Sequence, residues 1–157
     1  MQLPYRTSLF SQDLAQLDLP EKWVFGLANK VHFHELDMLK HVNNAAYMHW
    51  YEDLRVAYFR EWEMTRYSRE DPRFVVRHSS IDYLKEMKMD ESYVVVGRTA
   101  SFRRTSFKME YAVYSGDLRA TGEAVVVMLE PREMKKRPIP EALIERFTTV
   151  DKAVFET

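Results

Sequence analysis

Between Trp23 and Phe33, Phe25, Leu27, Val31 and Phe33 fall on alternate positions with Lys30 and His32 among the residues between them. That period of two predicts a strand with one buried face. From Ala45 to Trp62 the period changes. Tyr47, Trp50, Tyr51, Leu54 and Tyr58 recur at spacings of three and four, Met48, Val56, Phe59 and Trp62 widen the stripe, and no Gly or Pro interrupts it. This predicts a long helix that is apolar on most of its circumference and needs cover on several sides. Four β-rich runs then follow, at 74–83, 92–102, 105–114 and 118–129. Ser115-Gly116-Asp117 reads as a hairpin turn and Arg103-Arg104 as the tip between the two preceding runs. Their spacing predicts an antiparallel meander.

The flanks are less regular. Residues 1–21 read as an N-terminal arm, with a short helix around 11–17 closed off by Pro20. After residue 129 the basic run Lys135-Lys136-Arg137 meets Pro138-Ile139-Pro140, and 141–147 predicts a terminal helix with Pro140 near its first turn. The expected organisation is one domain over 22–147, an arm before it and a tail over 148–157. One strand, one long helix and four antiparallel strands make an α+β fold, a five-stranded antiparallel sheet wrapped around the helix. A sheet with open edges, and a helix needing more cover than five strands provide, imply a homodimer or homotetramer.

Composition narrows the function. A chain of 157 residues suits one well-filled domain. With 23 Lys and Arg against 24 Asp and Glu, no bulk electrostatic attraction to nucleic acid or to an anionic membrane is expected, so any anion site is local. The absence of cysteine removes disulfides, thiolate metal sites and thiol nucleophiles. No stretch has the length of a signal peptide's apolar core or of a membrane span, so a cytoplasmic location is expected.

The chemistry concentrates in the loop that opens onto the long helix. Asp37 stands seven residues before Asn44, in a run that contains His41-Val42-Asn43-Asn44. A helix start carries unpaired N–H groups and partial positive charge. A carboxylate upstream of such an end offers a base or nucleophile beside a donor for a carbonyl oxygen, as acyl transfer requires. Asn43 is a good helix cap, which leaves the Asn44 backbone N–H at the helix entrance. Asp37 has a turn-forming reading as well, although it lies well upstream of the first helical turn. Four of the five histidines, His32, His34, His41 and His49, lie close together in sequence near Glu35 and Asp37. Their spacing reproduces no recognised ligand pattern, so no metal and no cofactor is expected.

Asp37, His41-Val42-Asn43-Asn44, Tyr47, Glu52 and Arg55 together resemble the signature of the 4-hydroxybenzoyl-CoA thioesterase-like family of acyl-CoA thioesterases, and the region is similar to the catalytic region of plant acyl-carrier-protein thioesterases. Arg103-Arg104-Thr105-Ser106-Phe107 resembles the family's strand turn. The resemblance covers residues 22 to 147. It implies the hotdog fold and hydrolysis of an acyl-CoA or acyl-carrier-protein thioester. On this basis Asp37 is the general base or nucleophile and the Asn44 N–H polarises the carbonyl, while His41 either orients substrate or assists proton transfer, or simply packs and hydrogen-bonds within the loop. The sequence departs from the pattern at Leu39, where the plant enzymes have asparagine, and at Lys40, where many bacterial relatives have glycine.

Other residues carry two readings each. Tyr47 is near enough to Asn44 to line a substrate pocket, while Tyr47, Trp50, Tyr51 and Tyr58 all read as core. Arg103 and Arg104 read either as solvated charges that discourage edge pairing or as ligands for the phosphates of coenzyme A. Glu52 and Arg55 suit a structural pair at a subunit contact. The alternatives to hydrolysis are a hydratase or dehydratase of enoyl or hydroxyacyl thioesters using Asp37 and His41, and a non-catalytic acyl-thioester binding protein.

Overall fold

A computed structural model describes residues 3–157; Met1 and Gln2, the first two residues of the expected arm, lie outside the described residues. The long helix, α2, spans Asn44–Glu61. The four expected β-runs form strands β3 (Arg73–Tyr83), β4 (Ser92–Phe102), β5 (Ser106–Ser115) and β6 (Asp117–Leu129), and the first strand is β2 (Phe25–Lys30). Tyr51, Leu54 and Tyr58 of α2 join Val95, Met109, Tyr111, Val113, Ala124 and Val126 of the sheet in one buried cluster. A single long helix packed on one face of a predominantly antiparallel sheet is the hotdog arrangement.

The sheet has seven strands rather than the expected five. Thr7–Phe10 forms β1, which pairs antiparallel with β2 and is followed by helix α1 (Ser11–Gln16). Leu9, Leu14 and Trp23 bury against Ala28, Val94 and Val96 in a second cluster. After helix α3 (Glu141–Thr149), Val154–Phe155 forms β7, parallel to the end of β4. Both extra strands are short and lie in segments without a period-two signal, so their formation depends on partners already in place.

Two further expectations change. The strand periodicity that included Phe33 stops at Lys30; Phe33 begins a single 3-10 turn and is 79 % exposed. The meander is also incomplete, because the order β1-β2-β4-β5-β6-β3 pairs β3 with β6 rather than with its successor β4. The chain from β3 to β4 must therefore cross the end of the sheet. It does so through 84–91, anchored by the Leu84 and Lys85 N–H groups on the Arg119 carbonyl and by the Val42 N–H on the Met87 carbonyl, 2.8 Å away. This crossover carries Lys85 and Glu86 to the front of α2. By contrast, the Ser115–Asp117 hairpin forms as expected, with Gly116 at φ 75°, a conformation that favours glycine.

The far end of α2 is held by a buried carboxylate. Asp151, 1 % exposed, accepts hydrogen bonds from the Tyr58 hydroxyl (2.6 Å), Trp62 Nε1 (2.9 Å) and the Thr99 N–H (2.7 Å). Burial pushes this carboxyl up to about 6, against the opposing hydrogen bonds from Tyr58, Thr99 and Trp62. The tail over 148–157 is thus tied to both helix and sheet.

Candidate active site at the entrance of the central helix

Asn43 caps α2 with its side-chain oxygen, which accepts the Ala45 N–H at 2.9 Å, while its carbonyl accepts the Ala46 N–H. The Asn44 N–H has no acceptor among the described residues. It stands where the helix dipole is most positive, ready for a developing oxyanion. On the other side of the same residue, the Tyr83 hydroxyl donates to the Asn44 carbonyl at 3.1 Å and ties the end of β3 to the helix entrance.

Asp37 is exposed and belongs to a tight turn. Its Oδ1 accepts the N–H groups of Leu39 (2.9 Å) and His41 (3.2 Å), and its own N–H donates to the His41 carbonyl at 2.8 Å. The turn-forming reading is therefore correct for one oxygen. Oδ2 accepts no hydrogen bond among the described residues, so the turn orients the carboxylate and leaves its second oxygen available. Lys40 closes this turn at φ 62°, a left-handed conformation unfavourable for a residue with a side chain. Glycine would adopt that conformation without strain.

Asp37, His41, Asn43, Asn44 and Tyr47 line a single open cleft of about 490 Å³, together with Tyr83 and Glu86 among others. His41 Nε2 lies 2.9 Å from Glu86 Oε2. Tyr47 is 3 % exposed, meets the Tyr83 ring edge-on at 5.1 Å, and has its phenol pushed up to about 12, chiefly by burial. Trp50, Tyr51 and Tyr58 are buried with it, as core positions should be. Arg119 secures the crossover from behind, donating to the Glu86 carbonyl at 2.8 Å and pairing with Glu91 at 2.9 Å and with Asp117. Lys85 and Arg119 hold the Asp117 carboxyl down at about 2. Tyr83, Glu86 and Arg119 carry no motif in the sequence. The end of β3 places Tyr83, the β3–β4 crossover places Glu86 and strand β6 places Arg119 behind it.

Arg103 and Arg104 are not part of this cavity. They follow the last residue of β4, whereas the helix entrance lies beside its first, and eleven strand residues separate the two ends by about 35 Å. Arg103 pairs loosely with Glu156 at 3.7 Å and lines a different cavity with Arg77, His78 and Lys108. His32 and His34 sit 5.5 Å apart, His41 faces Glu86 and His49 is exposed on α2. Among the described residues no three His, Asp or Glu side chains gather in a way that would hold a metal ion. Among the same residues no helix is long and apolar enough to cross a membrane.

Comparison with known proteins identifies the family. The family model described as the thioesterase-like superfamily matches residues 31–147. A crystal structure of a thioesterase superfamily protein from Jannaschia sp. CCS1 superposes with a TM-score of 0.91 at 42 % identity, covering 97 % of this chain and 98 % of that one. A thioesterase from Thermus thermophilus, crystallised with coenzyme A and Zn, superposes with a TM-score of 0.71 at 33 % identity over 81 % of this chain and 93 % of its own. The acyl-CoA thioester hydrolase YbgC of Escherichia coli O6:H1 is 25 % identical over 122 residues, which are 75 % of this chain and 91 % of YbgC. The chain belongs to the thioesterase-like superfamily and is an enzyme of the hotdog fold.

Proposed function

We propose that the protein hydrolyses acyl-CoA thioesters at the entrance of α2. The observation that carries this reading is the shared cavity of Asp37 and Asn44: a carboxylate with one oxygen left open, and an unpaired helix N–H, border the same space. The Asn44 N–H takes the thioester oxygen and gains strength as that oxygen becomes an oxyanion. Asp37 Oδ2 either draws a proton from water attacking the carbonyl carbon or attacks that carbon itself, giving an anhydride that water then opens. In both routes the carbon–sulfur bond breaks and coenzyme A leaves as the thiol. His41, tied to Glu86, braces the loop and faces the leaving thiol.

Support for coenzyme A comes from the Thermus thermophilus protein crystallised with it and from the named activity of YbgC. Arg103 and Arg104 serve this substrate only across a subunit boundary. Strand β3 is a sheet edge, largely exposed, with Val75, Val76 and Tyr83 in contact with solvent. Antiparallel pairing of two β3 edges sets the Tyr83 end of one copy beside the Arg73 end of the other. The tip of the second sheet then approaches the helix entrance of the first, and Arg103 of the partner subunit comes within reach of the coenzyme's phosphates.

A panel of acyl-CoAs and acyl-carrier proteins, assayed together for free thiol, enoyl conversion and bound ligand, tests the reaction. Thiol release with acyl-CoA is the expected result; enoyl conversion or binding without turnover would contradict it. Sedimentation tests the assembly, with a dimer expected and a monomer at all concentrations excluding it.

A further inference from the structure

Among the described residues, one buried side-chain polar atom lacks a hydrogen-bond partner, the hydroxyl of Tyr51. The Tyr111 hydroxyl receives Arg55 Nη1 at 3.2 Å, the Tyr58 hydroxyl donates to Asp151 and the Tyr83 hydroxyl donates to Asn44. Leaving a buried hydroxyl unpaired is destabilising. Phenylalanine would fill nearly the same volume without that cost. A retained, unpaired hydroxyl therefore calls for a partner that arrives from outside the folded chain.

The surroundings hold Tyr51 rigidly. Its ring stacks on Tyr111 with centroids 4.8 Å apart and planes 14° from parallel. Its edge occupies the space that a side chain at position 122 would fill: a Cβ on Gly122 would lie 2.5 Å from Tyr51 Cε2. The ring cannot swing away to find an acceptor. It is 2 % exposed, and burial raises its phenol well above the ordinary value, so the group stays a neutral O–H able both to donate and to accept.

Its position relates it to the reaction. Asn44, Tyr47 and Tyr51 follow one another at intervals of three and four on one stripe of α2. Seven residues of helix rise about 10 Å, and helical side chains lean back toward the N-terminus. The hydroxyl therefore lies within about 10 Å of the Asn44 N–H, behind the Tyr47 ring that lines the cavity.

We infer that Tyr51 is a specificity-determining residue: its hydroxyl is the polar stop of the acyl site and selects acyl groups bearing a hydroxyl, keto or carboxyl oxygen within about 10 Å of the thioester carbonyl. The inference rests on the reaction proposed above. Tyr47 lines the cavity and Tyr51 does not, so the acyl group enters there, displaces the Tyr47 ring and ends against Tyr51. A plain hydrocarbon chain reaching the same point leaves the hydroxyl unpaired, and an acyl group with an oxygen there removes the penalty. Discrimination by a buried hydrogen-bonding group exceeds what shape alone supplies.

The test compares straight-chain acyl-CoAs carrying a hydroxyl at successive carbons with their unsubstituted parents, on the wild-type protein and on Tyr51→Phe. In the wild type, kcat/KM favours the hydroxylated member at one position by about tenfold or more. In Tyr51→Phe that ratio falls toward one, through loss on the hydroxylated member. Binding of the same pairs to Asp37→Asn and to Asp37→Asn/Tyr51→Phe gives a second readout without turnover. An equal ratio in the two turnover proteins, or no preference at any position, overturns the inference and leaves the hydrolysis standing. A Tyr51→Phe change that alters only dimer dissociation assigns the hydroxyl to the second copy and also overturns it. If the wild type cleaves no acyl-CoA while the binding preference is present and lost with the hydroxyl, the reaction is refuted and the Tyr51 assignment survives.

Discussion

The two ends of α2 each hold an aspartate, and the two are used in opposite ways. At the C-terminal end Asp151 is 1 % exposed and accepts three donors from the helix and the sheet. At the N-terminal end Asp37 is exposed, accepts two backbone N–H groups through one oxygen and keeps the other open. A saturated carboxylate organises architecture. One oriented by its own loop and left half open, beside an unpaired N–H, is equipped for chemistry. The difference lies in unmet hydrogen-bonding capacity rather than in residue type.

Exchanging the two properties should separate activity from stability. Asp37→Asn keeps an acceptor for the Leu39 and His41 N–H groups and removes the base or nucleophile, so kcat for acyl-CoA should fall about 10³-fold with little change in the melting temperature. A kinetic assay beside a thermal melt checks both halves. Asp151→Ala should do the reverse. It strips the acceptor from Tyr58, Trp62 and Thr99 and should destabilise the protein by about 3 kcal/mol, read by denaturant unfolding. Loss of turnover without loss of stability in that variant would break the comparison.

The same pair predicts a pH effect. Because the folded value of Asp151, about 6, stands above the ordinary carboxylate value, protonation favours the folded chain. Its stabilisation is complete below about pH 4 and is lost as the pH climbs through about 6. The stability difference between wild type and Asp151→Ala should therefore shrink from about pH 4 to about pH 7, and a flat difference would contradict the assignment. Smaller effects belong to the loops. Arg119→Ala frees the Glu86 carbonyl and the crossover that braces His41, and should lower kcat/KM about tenfold, in the range expected when a positioning group is lost. Lys40→Gly relieves the left-handed conformation and should raise stability by about 1 kcal/mol in the same unfolding measurement.

The contrast between the two ends also marks what the sequence reveals. Asp37, His41, Asn44 and Tyr47 lie within eleven consecutive residues, and a helix start gathers such neighbours by local geometry alone. Strands β4, β5 and β6 are legible for a similar reason, since short turns join them and the period of two is strong. Asp151 is not legible. It meets Thr99 across 52 residues and Trp62 across 89, and no local pattern announces a partner that distant. The pairing of β3 with β6 escapes for the same reason, and with it the crossover that delivers Tyr83 and Glu86. Tyr51 reads as core, and it is core; its unmatched hydroxyl is visible only in the packed structure. The role proposed for Arg103 and Arg104 is also non-local, since it needs a second subunit.

The most direct measurement is a crystal structure of Asp37→Asn holding an intact acyl-CoA. The account predicts the thioester oxygen about 2.7–3.2 Å from the Asn44 nitrogen, a normal hydrogen-bond length, with the acyl carbon beside the side chain of residue 37. A thioester lodged instead in the separate cavity of about 260 Å³ on the other flank of α2, lined by Arg6, Asp53 and Arg60 among others, would contradict it.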